Sequence, residues 1–312
     1  MNVIHIHHPY EVEQIPKDDV ALVLGFFDGV HRGHQKVILT AKEEAEKRGL
    51  KLAVMTFNHH PSVVFQKIDH TKMKYITTVE QKEHRMAELG VDFLYVVEFT
   101  SSFASLTPQE FVDQYIVGLN AKVAVAGFDY TYGKADVANM ENLPKYGQNR
   151  FQVIEVPKQT EEALKISSTN IRDMMGSGQM EEANHFLGYT YEVSGVVVHG
   201  DKRGRTLGYP TANIKIDQQS LLPKKGVYAV KLLVDNTWHY GMAQIGHNIT
   251  FESNRPMTIE VNILDFDQDI YGEYVTVQWC HYLRDELKFT GIEGLITQLD
   301  LDEVETRQYF NK

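Results

Sequence analysis

Apolar segments alternate with amphipathic ones through the first half of the chain. Runs rich in branched apolar residues predict buried strands at residues 3–6, 20–27, 50–57, 92–99, 122–127 and 151–156. Between them, acid-before-base pairs at i,i+4, glycine stops and a capping box predict helices at residues 35–48, 80–89 and 107–120. Strands that alternate with helices are typical of a parallel, doubly wound sheet, in which ligands bind beyond the carboxyl ends of the strands.

The pattern changes after Gly188, which ends a short predicted helix at residues 181–187. Closely spaced strands with intervening turns follow at residues 191–200, 226–234, 238–246, 257–266 and 274–283. They predict a small antiparallel barrel, with Asp235-Asn236 as a hairpin turn. An amphipathic helix at residues 292–310 is expected to pack on it. We therefore predict two domains, residues 1–187 and 188–312.

Length and charge narrow the function classes. A chain of 312 residues has room for two cores. Lys and Arg number 31 against 42 Asp and Glu, and the net charge of -11 argues against broad binding to nucleic acid or anionic membranes. The single cysteine, Cys280, excludes an internal disulfide and favours a reducing compartment. We expect a cytoplasmic protein, and a weak homo-oligomer is left open.

The most informative segment joins the second strand to the first long helix. Asp28-Gly29 ends the strand, and the HRGH motif, His31–His34, precedes the helix. A glycine turn before a helix directs free N–H groups at a ligand, and Gly33 lets the backbone come close to a phosphate. The two imidazoles can donate to phosphate oxygens as charge builds on a leaving pyrophosphate. The alternative is a plain turn with exposed histidines, but the flanking strand and helix favour nucleotidyl transfer.

A second segment, ISSTNIR, ends at Arg172 and contains three consecutive hydroxyl residues directly before a predicted helix. These residues, Ser167, Ser168 and Thr169, are suitable N-caps. The same hydroxyl and N–H groups could instead bind a triphosphate, with Arg172 pairing a phosphate.

The two segments together resemble the signature of the prokaryotic FAD synthetases, the bifunctional riboflavin kinase/FMN adenylyltransferases, with GFFDGVHRGHQ and ISSTNIR in this chain. The resemblance implies a Rossmann-like nucleotidyltransferase domain in which His31, His34 and Arg172 are catalytic. It implies ATP-binding roles for Gly25, Phe27, Asp28, Gly33, Ser167, Ser168 and Thr169. It implies flavin-binding roles for His60, Pro61, Asp129 and Tyr132.

A glycine-rich run in the second half, GDKRGRTLGYPTAN, starts at Gly200. Its glycines would let the backbone come close to a ligand, and its Lys and Arg side chains could bind phosphate. Thr211 and Asn213 lie two residues apart, on one face of an extended segment, and their neutral oxygens suit Mg2+. A polar hairpin loop is the alternative. The run resembles the riboflavin kinase motif, whose core is G-x-P-T-A-N, and this implies ATP binding by Gly200, Lys202, Gly208 and Pro210.

Two further residues of the barrel are candidates for chemistry. Strand alternation puts Thr258, Glu260 and Asn262 on one face, where a carboxylate is commonly just solvated. The resemblance instead makes Glu260 the kinase general base, which removes a proton from the ribityl 5'-hydroxyl. Arg284 resembles the arginine on the flavin side of the family's site, and a surface ion pair is its alternative.

The resemblance implies two reactions. The barrel would phosphorylate riboflavin to FMN with MgATP, and the first domain would transfer AMP from ATP to FMN, releasing pyrophosphate and giving FAD. The chain departs from the family pattern at Phe26, His59 and Ile249, which stand where asparagine, proline and proline are common. Ile249 leaves open a monofunctional FMN adenylyltransferase with a weak or inactive kinase domain. A non-catalytic flavin-binding regulator is a further alternative.

Overall fold

The computed structural model describes residues 1–65, 73–161, 164–200, 204, 207–246 and 258–311. The chain divides into two compact units, Met1–Ser168 and Thr169–Lys312. Lys202 and Ile249, which the sequence analysis singled out, lie outside the described residues. None of the helices in the described part of the chain is long and apolar enough to span a lipid bilayer.

A six-stranded sheet forms the centre of the first unit. Its strands are β1 Asn2–Ile6, β2 Val20–Leu24, β3 Lys51–Phe57, β4 Phe93–Val97, β5 Ala121–Gly127 and β6 Gln152–Val156. Their spatial order is β1-β4-β3-β2-β5-β6. Every neighbouring pair is parallel, which confirms the predicted sheet.

Helices connect these strands. Their bounds are α1 Arg32–Arg48, α2 Ser62–Phe65, α3 Val79–Glu88, α4 Ser101–Ala104, α5 Pro108–Val112 and α6 Leu143–Gly147. Helix α5 continues as a π-helical segment, Asp113–Val117. A 3-10 turn, Val12–Gln14, follows β1, and a short antiparallel ribbon of β7, Thr160–Glu161, and β8, Leu164–Lys165, ends near the ISST segment.

The sheet has an apolar core on each face. Strand β2 is buried along its whole length because it lies between β3 and β5. Successive residues of β2 join different cores, with Leu22 in one and Val23 in the other. Helix α1 contributes Ile38 and Ala41 to the second core, and Phe111 of α5 packs in the first. Helices therefore cover both faces, as the doubly wound arrangement requires.

A closed barrel forms the second unit. Two helices, α7 Ser168–Ser177 and α8 Met180–Leu187, precede strands β9 Glu192–Val198, β10 Ala212–Ile216, β11 Gly226–Val234, β12 Thr237–Gly246, β13 Thr258–Ile263 and β14 Tyr274–Arg284. The strands close in the order β10-β13-β12-β11-β14-β9, and all pairs are antiparallel. This confirms the predicted barrel. Strand β10 was not predicted, because its residues belong to the glycine-rich motif.

Helices and a tight turn complete the barrel. Asp235 and Asn236, with φ angles of 43° and 60°, join β11 to β12 as predicted. The terminal helix, α9 Ile292–Phe310, matches its predicted span. Asn184 of α8 donates from Nδ2 to the Trp279 carbonyl of β14 at 2.9 Å. Helix α8 therefore contacts the barrel, and it belongs to the second compact unit, Thr169–Lys312.

Candidate functional site

The turn between β2 and α1 has an unusual backbone. Phe27, Gly29 and Val30 have positive φ angles of 56°, 85° and 36°. Two of these residues are not glycine, so neighbouring contacts must hold the turn. A Cβ at Gly25 would lie 2.5 Å from the buried Phe27 ring, and one at Gly33 would lie 3.1 Å from the His31 ring. Glycine is therefore required at position 25, and the close approach at 33 leaves little room for a side chain.

His31 caps helix α1. Its Nδ1 accepts a hydrogen bond from the His34 backbone N–H at 3.2 Å, so the helix begins at Arg32 and not at about Gln35 as predicted. The His31 and His34 rings stack with centroids 3.5 Å apart and planes at 17°. Because Nδ1 of His31 is an acceptor, its neutral ring carries the proton on Nε2.

Both imidazoles are neutral at physiological pH. Burial lowers the pKa of His31 to about 4, and the opposed charges of Lys165 and Asp129 contribute in opposite directions. Burial, followed by the charge of His31, lowers the pKa of His34 well below its ordinary value. Nδ1 of His34 is buried and has no hydrogen-bond partner among the described residues. Each ring can therefore act as a neutral hydrogen-bond donor, and a buried atom that lacks a partner is expected where a ligand binds.

Asp28 binds protein N–H groups. The residue is buried, and its Oδ1 accepts from the backbone N–H of Ile76 at 2.9 Å and of Thr77 at 3.2 Å. These contacts hold the turn in place. The Asp28 carbonyl accepts from Ser168 Oγ at 2.8 Å, across 140 positions of sequence. The fold thus brings the HRGH and ISST segments together, as the sequence analysis expected of a single site.

The other candidate residues of the ISSTNIR segment are divided between the two compact units. Ser167 is partly buried in the first unit. Thr169 and Arg172 lie in the first part of α7 and belong to the second compact unit. Thr169 is exposed and Arg172 is partly buried. Their phosphate-binding roles stay predictions.

Of the expected flavin residues, His60 and Pro61 follow β3. The His60 ring meets the Phe26 ring edge-on, with centroids 5.1 Å apart. Its Nδ1 is 2.7 Å from Ser62 Oγ. These contacts place His60 beside the turn that bears the histidines.

Asp129 and Tyr132 follow β5. Asp129 forms an ion pair with Lys165, at 2.7 Å between Oδ2 and Nζ. Tyr132 stacks on Phe111 with centroids 5.2 Å apart, and its buried hydroxyl has no partner within the described part of the chain. Their flavin-binding roles stay predictions.

Two lysines near the turn escaped the sequence analysis. Lys82 of α3 is buried and donates from Nζ to the Phe26 carbonyl at 2.9 Å. It lies one helical turn before the buried Met86, so its position on the apolar face was a usable signal. Lys165 directly precedes the ISST segment, and its charge influences the pKa of both histidines.

In the barrel, strand pairing brings the kinase candidates together. Asn213 of β10 lies directly opposite Glu260 of β13, and Gln244 of β12 lies opposite Glu260 on its other side. Opposite residues of an antiparallel pair have neighbouring side chains on one face. A Cβ at Gly200 would lie 2.2 Å from Asn213 Nδ2, so a larger residue there would displace the Asn213 amide. Gly200, Asn213 and Glu260 therefore form one cluster, and Thr211 shares their face by alternation.

The segment before β10 is held by backbone contacts. The Pro210 carbonyl accepts from Asn262 Nδ2 at 2.8 Å. Gly208 has a φ angle of 84°, and the N–H of Tyr209 donates to the Gly204 carbonyl at 2.9 Å. These contacts fix the backbone between Gly208 and Thr211. No group of three or more His, Cys, Asp or Glu side chains suited to a metal ion lies in the described residues.

Arg284 forms a buried ion pair. Its Nε and Nη2 donate to Oδ1 and Oδ2 of Asp302 at 2.8 and 2.6 Å. The side chains are 18% and 2% exposed. The ion pair that the sequence analysis gave as the alternative role of Arg284 is thus present, but its partner, Asp302, is buried on α9 and not at the surface. Asp302 was missed because an acidic residue in a polar helix normally faces solvent. A flavin contact of Arg284 stays a prediction.

Comparison with known proteins finds similarity along the whole chain. The family model described as FAD synthetase matches residues 13–170, and the one described as riboflavin kinase matches residues 187–310. The chain is 52% identical over 312 residues to the bifunctional riboflavin kinase/FMN adenylyltransferase of Listeria monocytogenes, covering 100% of this chain and 99% of the relative. It is 45% identical over 313 residues to the protein of that name from Bacillus subtilis, with the same coverage.

A solved structure shares the fold. The crystal structure of a protein described as a macrolide-efflux protein, from Streptococcus pneumoniae, matches with a TM-score of 0.89 and 41% identity, covering 97% of this chain and 99% of that one. With a parallel-sheet unit that carries HRGH and a barrel that carries G-x-P-T-A-N, the chain belongs to the bifunctional riboflavin kinase/FMN adenylyltransferase family.

Proposed function

We propose that this chain catalyses the two last steps of FAD synthesis. It is a transferase that phosphorylates riboflavin to FMN and adenylylates FMN to FAD, with ATP as co-substrate in both reactions. The observation that carries the proposal is the meeting of motifs within each unit. Ser168 bonds to Asp28 beside the stacked His31 and His34, and Glu260 lies opposite Asn213. Two intact sets of residues favour two activities over a single activity or a flavin-binding regulator.

In adenylyl transfer, an FMN phosphate oxygen attacks the α-phosphorus of ATP, and the bond to pyrophosphate breaks. The reaction needs no covalent enzyme intermediate, so the protein supplies alignment and charge stabilisation. His31 donates from Nε2–H and His34 from its ring N–H to the phosphate oxygens that gain charge. The N-terminus of α1 supplies further N–H groups. Loss of one such donor typically slows an enzyme by about 100- to 1,000-fold.

In phosphoryl transfer, Glu260 takes the proton of the ribityl 5'-hydroxyl as the oxygen attacks the γ-phosphorus of ATP and ADP leaves. The hydroxyl of Thr211 and the amide of Asn213, beside the Glu260 carboxylate, are the oxygen donors that Mg2+ prefers. We assign these residues to Mg2+, which would neutralise phosphate charge when bound. Gly200 keeps the space next to the Asn213 amide open.

The proposal extends to organisation and location. We keep the functional boundary at residues 187 and 188, because the riboflavin kinase family model starts at residue 187. The single cysteine fits a reducing compartment, so we propose a cytoplasmic enzyme whose partners are riboflavin, FMN and ATP.

A chromatographic time course tests the proposal. Purified protein with ATP and Mg2+ should convert riboflavin to FMN and then to FAD, and a parallel reaction started from FMN should give FAD. If riboflavin stays unchanged while FMN gives FAD, the monofunctional alternative is correct. If the protein retains flavin but neither flavin changes and no ATP is consumed, the flavin-binding alternative is correct.

A further inference from the structure

Lys82 is a buried cation that the mechanism above does not use. Its exposed fraction is only 2%. The Nζ atom lies 2.9 Å from the Phe26 carbonyl oxygen and 3.9 Å from the centroid of the Phe26 ring. Asp28 acts on its charge from the same turn. A buried ammonium group needs such partners, and here all three belong to the turn that precedes the HRGH motif.

Lys82 is part of a larger set of contacts. Ile76 and Thr77 donate backbone N–H groups to Asp28, and Thr77 Oγ1 accepts from the Gly29 N–H at 2.8 Å. We call Ile76, Thr77 and Lys82 the clamp. The clamp contacts named above are all made to residues 26–29, so the clamp holds the turn on one side.

The Phe26 carbonyl is the contact with the clearest consequence. It accepts from Lys82 Nζ and also from Thr56 Oγ1, at 2.8 Å. This carbonyl shares a rigid peptide plane with the N–H of Phe27, so fixing it restricts the φ angle of Phe27. That angle is 56°, and the Phe27 ring meets the His34 ring edge-on at 5.2 Å. A chain of contacts thus runs from Lys82 to His34.

We propose that Lys82 is a positioning residue for adenylyl transfer. It acts through the Phe26 carbonyl to keep Phe27 in its strained conformation. It thereby holds His34 and the stacked His31 in position to contact the phosphate that is transferred. The inference rests on the proposed FMN adenylyltransferase activity. Since Lys82 contacts protein groups on the turn, its loss should affect the chemical step more than substrate binding.

The test compares Lys82→Met, Lys82→Arg and Lys42→Met in FMN adenylylation. Lys42 is a matched control, because its Nζ also donates to a backbone carbonyl, that of Leu89 at 3.1 Å, away from the turn. We expect Lys82→Met to lower kcat by about 10- to 100-fold with KM for ATP and FMN within about twofold. Lys82→Arg should recover part of kcat, and Lys42→Met should leave it unchanged.

Thr56→Val provides a second variant in case Lys82→Met fails to fold. Thr56 is fully buried, the new side chain has a similar shape, and the variant removes the other donor to the Phe26 carbonyl, so kcat should again fall while KM holds. An unchanged kcat in both variants, or a loss that appears in KM alone, overturns the inference. Riboflavin phosphorylation by the same samples should be unaffected. If the unmodified protein makes no FAD from FMN, the proposed function fails first.

Discussion

Substitution of Arg284 tests whether this residue mainly stabilises the barrel. Arg284→Met removes both hydrogen bonds to Asp302, at 2.8 and 2.6 Å, and leaves a carboxylate that is 2% exposed. Gln298 Nε2, which donates to Asp302 Oδ1 at 2.9 Å, then remains as a side-chain donor to that carboxylate. Removal of one partner of a buried ion pair typically costs about 3–5 kcal/mol. Because Arg284 itself is 18% exposed, we expect the lower end, about 3 kcal/mol.

Urea unfolding followed by tryptophan fluorescence measures this cost in the second compact unit, which contains the barrel. The chain has two tryptophans, Trp238 and Trp279, and both lie in the barrel. With an m-value of about 2 kcal/mol/M, a loss of about 3 kcal/mol lowers the midpoint by about 1.5 M. Arg284→Met combined with Asp302→Leu should regain most of the stability, since no unpaired charge remains.

Arg307→Met is the matched control for Arg284→Met. Arg307 also makes a bidentate ion pair from α9, at 2.8 Å to both oxygens of Asp265, but its side chain is 41% exposed and that of Asp265 is 75% exposed. Such a pair is worth about 0–1 kcal/mol. The reasoning is refuted if Arg284→Met unfolds at the midpoint of the unmodified protein while KM for riboflavin rises. Arg284 would then be chiefly a flavin contact.

Three further predictions concern the individual sites. In an NMR titration, the rings of His31 and His34 should stay neutral from about pH 5.5 to 8, because burial lowers the pKa of His31 to about 4 and that of His34 well below its ordinary value. A midpoint near 6.5 for either ring would contradict their assignment as neutral donors. Between the lowered pKa of a folded-state ring and its ordinary value of about 6.5, the unfolded chain binds more protons than the folded one. The first unit should therefore lose stability as the pH falls below about 6.5. Gly200→Ala should lower riboflavin phosphorylation at least about tenfold, since its Cβ would lie 2.2 Å from Asn213 Nδ2. Gly291→Ala, where no atom of the described residues lies within 4 Å, is the control, and equal rates for both variants would refute the crowding argument.

The sequence predicted best those features that depend on residues close together in the chain, namely the strands and the faces of their side chains. The apolar runs predicted every strand of the parallel sheet, most clearly the central strand β2, because a strand buried on both faces is apolar throughout. The pairing of Asn213 with Glu260 was not predictable, but two-residue alternation placed each on the correct face of its own strand.

Tertiary contacts decided the rest. The start of α1 was placed too late because the cap is a histidine ring, which is not among the usual N-cap side chains. The roles of Lys82 and Asp302 depend on partners 56 and 18 positions away, and a charged residue in a helix does not reveal such a partner. Strand β10 was hidden because its motif residues also serve the barrel ladder.

The central claim is that two separate sites perform two reactions. The most direct test is the time course from riboflavin with two variants, Glu260→Gln and His31→Ala combined with His34→Ala. Glu260→Gln should abolish FMN formation but still convert added FMN to FAD. The double histidine variant should accumulate FMN without making FAD. Loss of both reactions in either folded variant, or FAD synthesis at the normal rate without the histidines, would contradict the account.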